Sequence, residues 1–291
     1  MLDIGIHGKA HGYGHCVRIL CCQGIDCRLG DGSRERGLER LWPESIVYGP
    51  SCRWWPRCRL GKMEGSPSGG QLTIIRENIM STPRRALILI DVQQQYFTGP
   101  LEIQYPPHQE SLAMIVRAVD AAAAAGVPIA AVQHSAGEGA PVFAPGTPEF
   151  ELHPDIERRR TDTWKGVIKQ YGSVYADTDL AGWLRQHDID TVTLVGYMTN
   201  NCILASAVEA EFLGFNTEVL SDATGAINLA NDAGFADAKT VHTTLLTLLN
   251  SNWAAVSTTD AWADALEARQ ALKKSDLGSS AIAGAAHLTR A

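Results

Sequence analysis

Past its first quarter, this 291-residue sequence has almost no cysteine. Cys16, Cys21, Cys22, Cys27, Cys52 and Cys58 precede Met80, and Cys202 alone follows it. Nothing in the body of the chain therefore points to a disulfide framework, and we read the thiols as reduced and the protein as cytoplasmic. Long apolar runs are missing too. No 18-residue stretch is apolar enough to suggest a membrane span, and Gly, His and Lys interrupt the N-terminus where a secretory signal needs its apolar core. Positive charge is scarce where it would matter for nucleic acid: residues 80–291 hold 14 Lys and Arg against 24 Asp and Glu. That acidic body argues against a nucleic-acid partner.

The sequence is 45% hydrophobic and 20% charged, enough to bury a full core. Residues 1–79 differ from the rest, with 11 Lys and Arg against 8 Asp and Glu and with Gly, Arg, Cys and Trp strings broken at short intervals. Cys21, Cys22, Cys27, Cys52, Cys58, His7, His11 and His15 are potential zinc ligands, but clean Cys-x-x-Cys or Cys/His pairs are absent. The reading we favour takes 1–79 as a non-native or disordered extension. Met80 opens a few polar residues that lead at once into a core strand, as a natural start would.

From there strands and helices alternate. Ala86 to Val92 is an apolar run of strand length that contains Asp91, placing a carboxylate at a carboxyl edge, where open α/β sheets build their sites. A helix follows over 111–126, then a strand at Val127 to Gln133 and a Gly- and Pro-rich loop. Val167 and Ile168 lead a short strand into Lys169, before a helix over 177–188 capped by Asp177 or Thr178. Thr191 to Val195 forms a buried strand, and the helix beyond it carries Cys202 in its first turn. Glu218 to Leu220 is a strand, 230–250 a helix, Ala254 to Ser257 a strand and 260–272 a helix, with a frayed tail from Lys273. The pattern predicts one α/β domain over 80–272, built on a mainly parallel sheet of about six strands, with 273–291 a flexible tail.

Cys202 is the focus of the functional reading. A lone cysteine is often only a small buried hydrophobe. At the junction of strand and helix, however, free backbone amides and the helix dipole favour an anion, so a thiol there tends to ionise.

Three spaced signals sit around it: IDVQ after the first strand, KQYGSVY, and TDLAGWLRQHDIDTVTLVGYMTNNC running on to AEFLGFNTEVLSDATGA. Together they resemble the isochorismatase-like cysteine hydrolases, a group that includes nicotinamidases, carbamoylsarcosine amidase-type enzymes and streptothricin hydrolase-like amidases. The resemblance covers roughly Arg85 to Leu266. It implies a Rossmann-like three-layer sandwich and a catalytic Asp91, Lys169 and Cys202. Lys165, the rival lysine, fits the motif less well. The resemblance further implies a cis peptide between Tyr197 and Met198, an oxyanion hole from the backbone amides of Met198 and Cys202, and a homo-oligomer, dimer or tetramer.

Chemically, a lysine ammonium favours the thiolate and Asp91 takes the thiol proton, so that the sulfur attacks an amide carbonyl and a thioester forms. The expected partner is a small-molecule amide. Gln93, Tyr96, Phe97, His134 and Tyr175 are candidate substrate-binding residues, with Tyr105 and Phe143 also near the motif loops. Nicotinamidases carry a metal site on an Asp-x-His pattern with a further His. Here His134 stands without such a triplet and His153 reads as structural, so no metal and no cofactor are expected. Two alternatives stay open: an ether hydrolase of the isochorismatase type on the same fold, and a non-catalytic binding or scaffold protein.

Overall fold

The computed structural model describes residues 82–288, together with two short strands, β1 (Arg18–Leu20) and β2 (Asp26–Arg28). The chain divides into two units, Met1–Thr73 and Ile74–Ala291. In the first, β1 and β2 pair antiparallel, with Arg18 opposite Arg28. The zinc reading of the early cysteines and histidines, and the reading of 1–79 as an extension ending before Met80, otherwise lie outside the described residues.

The second unit is built on β3 (Arg85–Ile90), β4 (Ile129–His134), β5 (Lys165–Lys169), β6 (Thr191–Tyr197), β7 (Asn216–Gly225) and β10 (Ala255–Ser257). They form one sheet in the order β10-β7-β6-β3-β4-β5, and every neighbouring pair is parallel. Parallel strands covered on both faces need apolar side chains on both faces. β3 meets this need with RALILI, fully buried along its length. Its residues split by the period of two: Ala86, Ile88 and Ile90 join one core, Leu87 and Leu89 the other.

The first core is covered by α3 (Leu180–Gln186), α4 (Leu204–Leu213) and α5 (Ala238–Asn252), through residues such as Leu184, Ala207 and Leu249. The second is covered by α1 (His108–Ala124) and α6 (Thr259–Glu267), through Ile115, Val119 and Trp262. The result is a three-layer α/β/α sandwich. Each aliphatic side chain so buried contributes about 1.5–3 kcal/mol. No helix among the described residues is long and apolar enough to cross a membrane.

Chain order reverses direction between β3 and β6, since β4 and β5 lie to one side of β3 and β6, β7 and β10 to the other. This is the switch point at which open sheets leave a crevice beyond their carboxyl ends. Gly196 makes that junction tight. It has φ +106, and a Cβ there would stand 2.1 Å from the Ile90 carbonyl oxygen, so only glycine lets β6 run so close to β3. Further on, Gly214 ends α4 in the left-handed conformation, φ +84.

Several elements differ from the sequence reading. Residues 230–237 are not helical: β8 (Leu229–Asn231) and β9 (Gly234–Ala236) make an exposed antiparallel hairpin, and α5 starts only after Asp237, whose side chain caps it by accepting from the Thr240 amide. The strand read as ending at Leu220 runs on to Gly225 through a register shift against β6. α3 starts at Leu180, later than expected. Neither Asp177 nor Asp179 makes a side-chain cap, but the Thr178 hydroxyl accepts from the Leu180 amide at 3.4 Å. α6 stops at Glu267, short of Leu272, and α7 (Leu277–Leu288) occupies part of the stretch read as a tail.

At the amino ends of the strands, Arg85 and Glu218 form a buried pair 2.8 Å apart, with side chains 1% and 4% exposed. Glu218 also accepts from the Thr193 hydroxyl at 2.8 Å and the Trp262 indole at 3.1 Å, while Arg85 donates to the Gln270 carbonyl at 2.6 Å. Glu218→Ala would strand the guanidinium in the core. Chemical denaturation is expected to show a loss of about 3–5 kcal/mol; a loss near zero would mean that Arg85 finds water or another acceptor.

Candidate active site

Three side chains meet beyond the carboxyl ends of β3, β5 and β6. Asp91 is the first residue past β3, Lys169 is the last of β5, and Cys202 lies in a π-helical turn, Thr199–Ile203, between β6 and α4. Asp91 takes φ +52, a conformation that aspartate tolerates better than most residues. The Lys169 ammonium stands 2.7 Å from Asp91 Oδ2 and 3.3 Å from Cys202 Sγ. Asp91 and Lys169 side chains are 0% exposed, and Cys202 is 2% exposed.

Four acceptors surround the ammonium. Besides Asp91 and Cys202 these are the Tyr171 carbonyl at 3.1 Å and His134 Nδ1 at 3.3 Å. An ammonium has three protons, one for each of Cys202, the Tyr171 carbonyl and His134. Because the ammonium only donates, His134 Nδ1 accepts, and its ring proton sits on Nε2. Burial and the Lys169 charge pull His134 down to about 4, so the imidazole is neutral near pH 7. Neither Asp91 oxygen meets the full geometry of a hydrogen bond, although Oδ2 is close to Lys169. The carboxylate is held by charge more than by aligned donors. Burial raises its pKa, and the ammonium only partly opposes this.

The thiol departs from the sequence reading. Burial first, and the Asp91 charge second, push Cys202 up to about 12, outweighing Lys169. Near pH 7 this favours the neutral thiol over the thiolate.

The turn that carries it is held at its far side by Ser206, whose hydroxyl donates to the Cys202 carbonyl at 2.6 Å and accepts from the Val174 amide at 3.1 Å. Ser206 was not singled out in the sequence, although its place four residues after Cys202 is where a serine bonds back along a helix. Asn200 was missed as well; its side-chain oxygen is buried without a partner, two residues before the thiol. The Tyr197–Met198 peptide bond is cis.

The remaining candidates divide. Tyr96 is buried, its ring 5.2 Å from Phe143 and 5.5 Å from Tyr197, and burial and the charge of Asp91 raise its hydroxyl pKa. His134 meets Phe143 edge-on at 5.2 Å, so Tyr96, Phe143 and His134 form one aromatic wall. Phe97 lies farther out, packed on His153 at 4.5 Å and on His108 and Tyr197.

Gln93 is spent on the backbone: it donates to the His134 and Phe150 carbonyls and accepts from the His134 amide, which makes it a clamp on the loop after β4. The Tyr175 ring stacks on Phe215 at 6.1 Å, and its hydroxyl is buried without a hydrogen-bond partner. Lys165, the rival lysine, pairs with Asp179 at the other end of β5.

Three histidines among the described residues are held by protein partners. His134 Nδ1 accepts a hydrogen bond from Lys169, His153 Nδ1 caps α2 (Pro154–Glu157) by accepting from the Asp155 amide, and His108 pairs with Glu102. Among the described residues no group of three or more His, Cys, Asp or Glu is placed to hold a metal ion.

An open parallel α/β sheet with a thiol, an ammonium and a carboxylate buried together at its switch point defines a class of hydrolase. The chain belongs to the isochorismatase family: the isochorismatase domain matches residues 85–261. A solved structure from Burkholderia xenovorans LB400, described there as a candidate isochorismatase, is 45% identical, with a TM-score of 0.70 over 72% of this chain and 100% of that one. The uncharacterised isochorismatase-family protein YddQ of Bacillus subtilis is 27% identical over 61% of this chain and 97% of its own. Streptothricin hydrolase of Streptomyces noursei is 26% identical over 64% of this chain and 74% of its own.

The charges around the thiol give opposite expectations for two variants. Asp91→Asn removes a charge that pushes Cys202 up, so the thiol pKa should fall, whereas Lys169→Met removes the opposing charge and should raise it further. Peptide-resolved alkylation by iodoacetamide from about pH 6 to about pH 10 reads the shift. The Asn profile is expected to move to lower pH and the Met profile to higher; movement in one direction for both would remove the electrostatic account.

Proposed function

We propose that the chain is a cysteine-dependent amidohydrolase that cleaves a C–N bond of a small, uncharged amide through a thioester on Cys202. The observation that carries the reading is the Lys169 ammonium, 3.3 Å from the Cys202 sulfur and 2.7 Å from Asp91 Oδ2 in a site with almost no exposure. Asp91, whose pKa burial has raised, is suited to take a proton from the thiol. As the S–H proton passes to the carboxylate, the sulfur bonds to the carbonyl carbon and the carbonyl oxygen takes up the electron pair.

The backbone amides of Met198 and Cys202 are the donors assigned to that oxyanion. When the C–N bond breaks, the amine leaves with the proton from Asp91. Water then attacks the thioester carbonyl, Asp91 accepts its proton, and the C–S bond breaks to release the acid. The proton on Asp91 returns to the sulfur, restoring the resting thiol.

Charge balance supports the substrate class. Asp91 and Lys169 carry opposite charges, and the thiol and His134 are neutral near pH 7, so the site has no net charge to attract a charged ligand. Its wall of Tyr96, Phe143 and His134 suits a flat or apolar body next to the amide. The likeness to streptothricin hydrolase agrees with a hydrolytic reaction.

Screening small primary amides for ammonia release tests the reading. Cys202→Ala is expected to lose about a thousandfold or more in rate. Mass spectrometry of acid-quenched native enzyme should find the acyl group on the peptide that contains Cys202. Equal turnover by the alanine variant would end the covalent mechanism.

A further inference from the structure

His242 lies on α5, far along the chain from Cys202, yet it is tied to the turn that carries the thiol. Its Nε2 is 3.0 Å from the Ser221 carbonyl oxygen, and its Nδ1 is 2.9 Å from the Thr199 hydroxyl. Thr199 in turn is 3.1 Å from the Thr224 hydroxyl. Thr199 and Thr224 are 0% exposed and His242 is 3% exposed, so no water competes for these groups.

The directions of all three bonds follow from chemistry. A carbonyl only accepts, so Nε2 carries the ring proton. Burial lowers the His242 pKa, which keeps the ring neutral and Nδ1 bare. Nδ1 then accepts from Thr199, and Thr199 accepts from Thr224. The chain of donors runs from Thr224 through Thr199 and His242 to Ser221, leaving β7 and returning to it. Tyr105 fixes the ring plane as well, edge-on at 5.5 Å, and is itself bonded to Ala226 through its backbone.

We propose that His242 is a positioning residue for the nucleophile: through Thr199, the first residue of the turn, it sets where the Cys202 thiol stands against Asp91 and Lys169. Thr199 is three residues before Cys202 and directly follows Met198. Ser206 holds the carbonyl of Cys202 from the other side, so the turn is fixed at both ends. A misplacement of about 1 Å in such a site costs about a hundredfold in rate. The proposal rests on Cys202 being the reacting group, and its test separates the two.

His242→Gln keeps a donor for the Ser221 carbonyl but brings no acceptor to Thr199, whereas His242→Asn offers its oxygen near the place of Nδ1 and gives up the Ser221 bond. In the full chain, Cys202 alkylation by limiting iodoacetamide, read on the peptide by mass spectrometry, is expected to slow about tenfold or more in His242→Gln and in Thr199→Val, and to recover in His242→Asn to within about threefold of the native rate. Comparable melting temperatures for the Asn and Gln variants would set stability aside as the cause. Native-rate alkylation of the Gln and Val variants, or equal slowing of Asn and Gln, overturns the proposal.

Nitrogen-15 NMR of the native histidines provides a second arm. The His242 ring is expected to be protonated on Nε2, with an Nδ1 resonance that moves in Thr199→Val; a proton on Nδ1 overturns the proposal. Equal turnover of an amide by Cys202→Ala would count against the covalent reading, and the NMR result alone would then decide the His242 bond.

Discussion

The structure depends on an ion pair that would be unfavourable anywhere else in the core: Asp91 and Lys169, 2.7 Å apart with no solvent contact. Removing two such charges from water costs several kcal/mol for each ion, and attraction returns that only if geometry and further hydrogen bonds are good. Here the Tyr171 carbonyl and His134 supply the further bonds to the ammonium. Three strand ends must be brought together to build this arrangement. The parallel sheet does so by placing β3, β4, β5 and β6 side by side with their carboxyl ends at one edge. Gly196 then allows β6 to lie against β3 where the sequence needs Cys202 near Asp91.

The same burial decides the resting chemistry. A helix start and a nearby ammonium both favour a thiolate, but desolvation and the neighbouring carboxylate outweigh them. In the proposed reaction the sulfur would start as a neutral thiol, and the buried Asp91 carboxylate, its pKa raised by burial, would take its proton. A permanently ionised sulfur would be open to adventitious oxidation and alkylation. A thiol that ionises only as its proton passes to Asp91 is less so.

Much of this was legible in the sequence, for reasons that differ by element. ALILI could be read as a buried parallel strand because its apolar run has no polar interruption. KQYGSVY pointed to Lys169 over Lys165, and the two lysines do stand at opposite ends of β5, Lys169 by the thiol and Lys165 by Asp179. What stayed hidden depends on partners distant in the chain. The β8–β9 hairpin has helix-compatible residues, and only the Asp237 cap marks where the helix begins. Gln93 and Tyr175 are of the right type for a pocket, yet backbone carbonyls claim one and Phe215 the other. His242 carries no local signal at all, since its partners Thr199 and Ser221 lie on other elements.

β3 has a buried ion at each extremity: Arg85 begins it, paired with Glu218, and Asp91 follows its last residue, paired with Lys169. The strand is thus pinned like a ruler between two stops. Slipping it by one residue against β4 or β6 would turn every side chain to the opposite face, and slipping it by two would drag one charge past its counterion while the other fell short. Hydrophobic pattern alone cannot forbid the two-residue slip, because alternate aliphatic residues are interchangeable. The charges can, and the alignment of the Asp91 carboxylate is therefore set partly from the end of the strand farthest from Lys169 and Cys202.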